Sequence, residues 1–354
     1  MCLIFAGLLL VGCTHNQRTE DHRTAAVTAT GTGTAKADCT REWRELSLAP
    51  TRYSRVRDVF SVVAASSATN VWAGGYRGRR RVTYPLLGHW NGRRWREWRL
   101  RSPGRGTVIA VLPNGEAWTV FYSIRGPSGL LRWDGRKFLR EAAPRAAVIN
   151  TFTELVVTDA GLWLKAATRR GAMLFRRQGS RWVSIGKPYR DVDTLGRGPR
   201  GELWSLAFYP AKIARWSGRW TSTDLPRLHD ASLTGLTLTT TGTAFAWGSE
   251  PFAGPGLLLT WNDRRWIRFD EPTFRGEEVA ISSVAGSSPR DLWATATRVG
   301  YSGRARLFHR DGTSWTPIPP SDYRPDGAGG SLVMAENDLW VASESVARYG
   351  CAPR

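Results

Sequence analysis

Hydrophobic and polar residues alternate in short segments along most of the chain, and turn-forming residues separate the segments. Residues 88–98 show the unit most clearly, because two strand-like segments flank the dipeptide Asn91-Gly92. Asn-Gly is the strongest short signal for a hairpin with a type I′ turn, which needs positive φ at both central residues. A two-residue turn places Trp90 and Trp95 on one face as diagonal neighbours. The pattern therefore predicts a β-hairpin with a half-core of indole rings.

The same hairpin signal recurs along the chain at a nearly constant spacing. It falls at Asn91-Gly92, Asp134-Gly135, Gln178-Gly179, Ser217-Gly218, Asn262-Asp263 and Asp311-Gly312, with second residues 43, 44, 39, 45 and 49 positions apart. A second signature, an aromatic residue inside an apolar segment, has seven copies, at Trp72, Trp118, Trp163, Trp204, Phe245, Trp293 and Trp340. A period of roughly 45 residues with four short strands per unit is typical of propeller blades. The chain is predicted to be all-β, a seven-bladed β-propeller.

The last repeat lacks a fourth strand, and the N-terminal end of the predicted propeller supplies a matching segment. A third strand is predicted at 346–350, whereas residues 40–46 are similar to the outer strand 94–100 of the first repeat. An N-terminal strand that completes the last blade leaves no open inner edge. Cys39 and Cys351 then fall where other blades have a tight turn, and an even pair of cysteines in an exported chain indicates a disulfide.

Residues 1–38 are predicted to lie outside the propeller, which we assign to residues 39–354. Residues 1–13 contain an apolar run that is too short to span a bilayer and is typical of a signal peptide. Its last four residues, Leu-Val-Gly-Cys, resemble the lipobox of bacterial lipoproteins, which implies lipidation of Cys13. A secretory signal in which this cysteine has no role is the alternative. Residues 14–38, rich in Thr, Ala and Gly, have the composition of a disordered tether.

The repeats also resemble those of a known class of proteins. Asp-Leu-Trp and Gly-Glu-Leu-Trp elements, followed by an aliphatic strand and Trp-Asp-Gly, are similar to repeats of bacterial periplasmic propellers, including two-component-regulator and kelch-like propellers. The resemblance covers residues 39–351 and specifies blades rather than chemistry. We therefore expect a monomeric lipoprotein of the bacterial cell envelope, outside the cytoplasm and attached to the membrane only through its lipid. Nucleic acid is a poor ligand for such a protein.

The composition fits a folded β protein with an excess of positive charge. The 354 residues are 42% hydrophobic and include 18 Trp, which is ample for a core. The net charge of +20 ordinarily suggests a polyanionic partner. Only five of the 50 basic residues are Lys, however, and a GC-rich genome gives such a skew without selection for binding. Either a functional basic surface or the base composition of the genome therefore explains the positive net charge.

The sequence contains no motif for catalysis or for a cofactor. It has no phosphate-binding loop, no dinucleotide fingerprint and no Cys/His metal spacing, so we expect no catalytic residue, metal or cofactor. The lack of a paired His set also argues against a propeller of the streptogramin-lyase kind. His89 and His309 occupy nearly equivalent blade positions and are interpreted as structural. The repeated Trp residues could be ligand platforms, but a residue at the same place in every blade is more typical of packing between blades.

We expect the binding residues in loops whose sequences differ from blade to blade. These loops lie on the face that carries the connections between second and third strands and the connections between blades. The candidate binding residues are Arg79, Arg80, Arg81, Tyr84, Tyr122, Arg125, Arg169, Arg170, Tyr209, Arg298 and Tyr301, with Phe208 and Phe252 on the same face. Arginine beside tyrosine can clamp carboxylates, phosphates or sulfates. A set of solvated loops is the alternative. A second, acidic sector contains Asp224, Asp230, Asp270, Glu271, Glu277 and Glu278.

Two functions of different classes follow from these residues. The first is a non-catalytic envelope lipoprotein whose propeller is a binding or scaffolding module for a protein or an anionic envelope polymer. The alternative is a glycan-active hydrolase or lyase, which needs two carboxyl groups ~5 to 9.5 Å apart over a pocket. We favour the first, because a propeller fold implies no activity and no acid–base pair is identifiable by spacing.

Overall fold

The computed structural model describes ten stretches of the chain, namely residues 41–46, 56–79, 82–100, 104–123, 129–144, 149–168, 171–185, 194–300, 305–319 and 330–351. These stretches form 29 β-strands. The predicted signal peptide and tether, with Cys13 and Cys39, lie outside them. No helix in the described stretches is long and apolar enough to cross a membrane.

The strands form seven antiparallel sheets, one for each blade. Blade 1 contains β2 (Val56–Ser67), β3 (Asn70–Arg79), β4 (Val82–Trp90) and β5 (Trp95–Arg99). Blade 2 contains β6 (Gly104–Val111), β7 (Ala117–Ser123), β8 (Gly129–Trp133) and β9 (Phe138–Arg140). Blade 3 contains β10 (Ile149–Thr158), β11 (Gly161–Thr168), β12 (Gly171–Gln178) and β13 (Arg181–Ser184). Blade 4 contains β14 (Thr194–Arg197), β15 (Leu203–Ala207), β16 (Lys212–Trp216) and β17 (Trp220–Ser222).

The remaining three blades follow the same order, with two variations. Blade 5 contains β18 (Ser232–Leu238), β19 (Ala244–Ser249), β20 (Gly256–Trp261) and β21 (Trp266–Arg268). Blade 6 adds a short strand, β22 (Thr273–Phe274), to β23 (Glu277–Ser288), β24 (Asp291–Arg298), β25 (Arg306–Asp311) and β26 (Ser314–Pro317). Blade 7 contains β27 (Ser331–Ala335), β28 (Asp338–Ser343), β29 (Ser345–Cys351) and the N-terminal β1 (Arg41–Glu45).

The first strand of each blade contacts the first strand of the next, and the series closes into a ring. These inner strands are β2, β6, β10, β14, β18, β23 and β27, and β27 contacts β2 again. Inner strands are largely buried, which explains their apolar sequences. The predicted seven-bladed β-propeller is therefore confirmed.

The N-terminal strand completes the last blade, as predicted. β1 pairs antiparallel with β29 from Arg41 opposite Cys351 to Glu45 opposite Ala347. Its Trp43 packs against Trp293 of blade 6, with ring centroids 6.2 Å apart. Because residue 39 lies outside the described residues, the predicted disulfide between Cys39 and Cys351 stays a prediction.

The predicted type I′ turn of the first hairpin is wrong. Trp90 pairs directly with Trp95, so the connection has four residues, 91–94. The Asn91 side-chain oxygen accepts backbone N–H groups of residues 93 and 94 at 3.1 and 3.0 Å, and within the turn only Gly92 has a positive φ, 88°. Asn91 thus starts the turn as an Asx residue, with its side chain bonding the backbone that follows, and does not occupy a central position of positive φ. Asp134 makes the same two bonds in blade 2, both at 2.8 Å.

An aromatic residue of the second strand packs against the next blade at all seven junctions of the ring. The contacts are Trp72 with Trp133 and Phe138, Trp118 with Trp182, Trp163 with Leu195 and Leu203, Trp204 with Trp266, Phe245 with Val284 and Leu292, Trp293 with Trp43, and Trp340 with Trp90. All seven rings are buried. The repeated aromatic residues therefore pack between blades, as the sequence indicated.

Three of these buried indoles donate their N–H to the side chain two residues earlier. Trp72 donates to Asn70 at 3.1 Å, and Trp118 and Trp204 donate to the preceding glutamates at 2.5 Å each. A buried indole N–H without a partner is costly. The short acidic or amide side chain before the tryptophan thus has a structural role in the repeat.

The two equivalent histidines lie flat on these tryptophans. His89 stacks on Trp72 and His309 on Trp293, with ring centroids 4.1 and 3.9 Å apart. Nε2 of His89 lies 2.9 Å from the Asn70 side-chain oxygen, and burial lowers the pKa of His89 to about 4. Nε2 of His309 lies 2.8 Å from a carboxylate oxygen of Asp291. These contacts support the structural interpretation of both histidines.

Blade 3 departs from the apolar pattern with a buried ion pair that the sequence did not predict. Nζ of Lys165 lies 3.3 Å from Oε2 of Glu154, and the two side chains are 2% and 1% exposed. The other carboxylate oxygen of Glu154 accepts the Leu195 backbone N–H of blade 4 at 2.9 Å. The pair therefore links two blades, and each charge depends on the other because both are withdrawn from water.

We predict that Lys165→Met lowers the free energy of unfolding by about 3–5 kcal/mol, because Glu154 keeps a buried charge without its cation. Chemical denaturation measures this change. Adding Glu154→Gln, which keeps the oxygen for Leu195, is expected to restore part of the loss. Arg298→Met is the control, because the exposed pair of Arg298 with Glu277 contributes less than about 1 kcal/mol. A loss from Lys165→Met no larger than that control contradicts the prediction.

Candidate functional site

Most of the binding residues proposed from the sequence lie outside the described residues. These are Arg80, Arg81, Arg125, Arg169, Arg170 and Tyr301, together with the side chains of Arg79 and Tyr122. The backbone places Arg79 at the end of β3 and Tyr122 near the end of β7. Both positions lie at the face that carries the loops between second and third strands, which we call the upper face. The proposed basic site is thus not tested by these residues.

Two described arginines near this face have acidic partners. Arg298, the last residue of β24, forms an ion pair of 2.6 Å with Glu277. Arg77 forms an ion pair with Asp58 on the neighbouring strand, and the adjacent Tyr84 is half-buried on β4. The described part of the proposed basic surface is therefore partly neutralised.

The six acidic residues of the predicted second sector are not gathered around one pocket. Asp270 pairs with Arg310 at 3.1 Å, and Glu271 accepts the Leu258 backbone N–H at 3.3 Å. Burial raises the pKa of Glu271. Of the six, Asp230 alone lines the groove described next. The six residues of the predicted acidic sector therefore do not form one carboxylate-lined pocket in the described stretches.

A groove lies on the upper face between blades 4 and 5, with a volume of about 570 Å³. It is lined by Tyr209, Pro210, Ala211, Leu228, His229, Asp230, Ala231, Glu250 and Pro251. These residues belong to three segments, the β15–β16 loop, the β17–β18 connection and the β19–β20 loop. Its size is that of a small-ligand or peptide pocket.

Three exposed aromatic rings form a cluster beside this groove, and one of them, Tyr209, lines it. Phe208, Tyr209 and Phe252 are 37%, 53% and 51% exposed, and the remaining large hydrophobic residue exposed among those described is Val183, at 38%. The Phe252 ring centroid lies 5.6 Å from that of Phe208 and 5.7 Å from that of Tyr209. A cluster of exposed apolar rings marks an interaction surface more often than scattered single residues do.

Backbone hydrogen bonds join the three segments that form the groove. The Phe252 N–H donates to the Asp230 carbonyl at 2.7 Å, and the Leu233 N–H donates to the Phe208 carbonyl at 3.0 Å. The Ala211 N–H donates to the Ala231 carbonyl at 3.2 Å. The rings are therefore held by main-chain contacts, so the groove is formed before any ligand arrives.

The two carboxylates of the groove, Asp230 and Glu250, differ in their hydrogen-bond and ion-pair partners. The Tyr209 hydroxyl donates to the Asp230 carboxylate at 2.5 Å, and this hydrogen bond raises the pKa of Tyr209. Glu250 accepts the His229 backbone N–H and forms an ion pair with Arg268. Asp230 thus keeps the more available negative charge of the two.

Two further grooves lie on the opposite, lower face, beside the turns between first and second strands. They have volumes of about 570 and 410 Å³, and Glu116 and Arg132 line both. These two residues occupy repeat positions next to the buried Trp118. In the described stretches, no group of His, Cys, Asp or Glu side chains is arranged to hold a metal ion.

The sequence named Tyr209, Phe208, Phe252 and Asp230 separately, but it did not bring them together. The signal that could have done so is an aromatic residue and a proline in the same loop of two successive blades, at Phe208 to Pro210 and at Pro251-Phe252. Such residues break the repeat at equivalent positions of neighbouring blades.

Comparisons with known proteins identify the fold and nothing finer. No family model and no curated protein matches the chain. A structure of YCF48 bound to D1 peptide has a TM-score of 0.61 at 14% identity, over 89% of this chain and 97% of that one. A structure of an inactive virginiamycin B lyase from Staphylococcus aureus with quinupristin has a TM-score of 0.60 at 16% identity, over 88% of this chain and 100% of that one. The extracellular domain of a hybrid two-component system from B. thetaiotaomicron has a TM-score of 0.58 at 12% identity, over 88% of this chain and 40% of that one.

Proposed function

We propose that this propeller is a non-catalytic, extracytoplasmic binding module that binds a protein segment in the groove between blades 4 and 5. The observation that carries the proposal is the cluster of exposed Phe208, Tyr209 and Phe252 beside a preformed groove. A propeller neighbour bound to a peptide and another that is an extracellular sensor domain are consistent with it. The glycan-active alternative would use the two carboxylates of the groove, Asp230 and Glu250, but Glu250 is already held by Arg268 and by the His229 backbone N–H.

We expect the ring variants Phe252→Ser and Tyr209→Ser to lose binding to an array of defined 12-residue peptides that wild-type protein binds. Removing an aromatic anchor from an interface commonly costs about 2 kcal/mol or more, or some 30-fold in affinity. Val183→Ser is the matched control, because Val183 is the exposed hydrophobic residue at a distance from the groove. Thermal unfolding verifies that each variant is folded. Equal losses from all three variants, or no peptide bound by wild type, would sink the proposal.

We also propose that the basic loops on the same face bind an anionic envelope component or an acidic protein surface. The support is positional, because Arg79, Arg80, Arg81, Arg125, Arg169 and Arg170 fall in the sequence at non-repeating positions between second and third strands. Contacts between exposed charges are screened beyond ~8 Å at physiological ionic strength, so this binding should weaken with salt.

Charge reversal at Arg79, Arg80 and Arg81 is expected to reduce salt-sensitive binding to isolated envelope fractions. The control is reversal at Arg93, Arg94 and Arg264, which are exposed in lower-face turns and carry equal charge. Co-sedimentation with the envelope fractions measures the binding of both variants. If the two sets reduce binding equally, net charge alone acts and the basic site has to be abandoned.

We further propose that the protein is a membrane-anchored lipoprotein, with Cys13 lipidated and a Cys39–Cys351 disulfide fastening the N-terminal strand. The pairing of Arg41 with Cys351 supports the disulfide, because Cys39 is two residues before Arg41. Cys13→Ala is expected to release the protein from the membrane fraction, and continued association would contradict the anchor. Two free thiols in the non-reduced, exported protein, measured by mass spectrometry, would contradict the disulfide.

A further inference from the structure

The angles between the exposed rings indicate what kind of surface the groove offers. The Phe252 ring lies at 82° to that of Phe208 and at 63° to that of Tyr209. A sugar ring stacks best on a broad aromatic face, and these rings do not form one flat platform. Steeply inclined rings form notches instead. Grooves with aromatic walls accept proline rings and aliphatic side chains of extended peptides.

The rest of the lining suits the same kind of ligand. Pro210, Leu228 and Pro251 supply apolar lining to the groove beside Tyr209. The backbone hydrogen bonds that join the loops hold this shape in place. A polyproline II segment is itself pre-ordered, so its binding to a preformed groove loses little conformational entropy.

The charge of the groove opposes that of the protein as a whole. In a chain of net charge +20, the groove presents two carboxylates, Asp230 and Glu250. Glu250 forms an ion pair with Arg268, whereas the Asp230 carboxylate accepts a hydrogen bond from the neutral Tyr209 hydroxyl. The exposed Asp230 carboxylate can therefore accept hydrogen bonds from a ligand cation.

We infer that the groove recognises an extended, proline-containing peptide segment whose lysine or arginine pairs with Asp230. This inference rests on the proposed function and specifies its ligand. Tyr209 has two roles, since its ring forms a notch and its hydroxyl orients the Asp230 carboxylate. The apolar notches provide affinity for the prolines, and Asp230 provides selectivity for the cation.

The experiment compares three fluorescein-labelled peptides, APPRPPA, APPEPPA and AAARAAA, by fluorescence anisotropy with the full-length protein. We expect APPRPPA to bind more tightly than either of the others. Asp230→Asn should weaken binding of APPRPPA by about tenfold or more, since hydrogen bonds to charged groups are the strong ones. The asparagine keeps an oxygen for the Tyr209 hydroxyl, so the shape of the groove is retained.

The matched control is Asp224→Asn, which removes the same charge from the same β17–β18 connection outside the groove. We expect this variant to bind APPRPPA as wild type does. Equal losses from the two asparagine variants would overturn the pairing with Asp230. So would equal affinities of wild type for APPRPPA and APPEPPA.

Two other outcomes separate this inference from the function on which it rests. If peptides selected on the array need Phe252 but APPRPPA is not preferred, the inferred specificity is wrong and the proposed function stands. If no peptide requires Phe252 for binding, both the inferred specificity and the proposed function are wrong. Titration with chitohexaose tests the sugar class, and sugar binding that Phe252→Ser abolishes would overturn the peptide assignment.

Discussion

The packing of one aromatic side chain between successive blades is the interaction on which the ring depends. The second strand of every blade supplies this aromatic side chain, from Trp72 in blade 1 to Trp340 in blade 7. Large aromatic side chains bury much surface, but an indole also carries an N–H that needs a partner. The amide or carboxylate two residues earlier supplies it in blades 1, 2 and 4. The same requirement explains why polar residues recur beside tryptophan in a β-rich sequence.

Because this packing repeats, much of the fold could be predicted from the sequence. The seven copies of the aromatic signature indicated the number of blades, and the likeness of residues 40–46 to an outer strand indicated how the propeller closes. The turn type was wrong, since the Asn91 side chain bonds the backbone after it and the connection has four residues. The pair of Lys165 with Glu154 was also missed. Two opposite charges on adjacent apolar strands give no sign that they meet inside the core.

The candidate site was harder to predict because it belongs to two blades at once. Phe208 and Phe252 are 44 residues apart, and the packing of blade 4 against blade 5 brings their loops together. The numerous arginines are a stronger signal in the sequence, but Arg77 and Arg298, two described arginines near the upper face, form ion pairs with acidic residues. The tryptophans are mostly used between blades, and so the few aromatic rings left exposed carry more information than the abundant ones.

A structure of the protein with the tightest-binding peptide tests the central claim most directly. The account predicts that the peptide lies extended between Tyr209 and Pro251, with its apolar residues against Phe252 and a basic residue at Asp230. A peptide bound instead at the lower-face grooves beside Glu116 and Arg132, or away from blades 4 and 5, would contradict it.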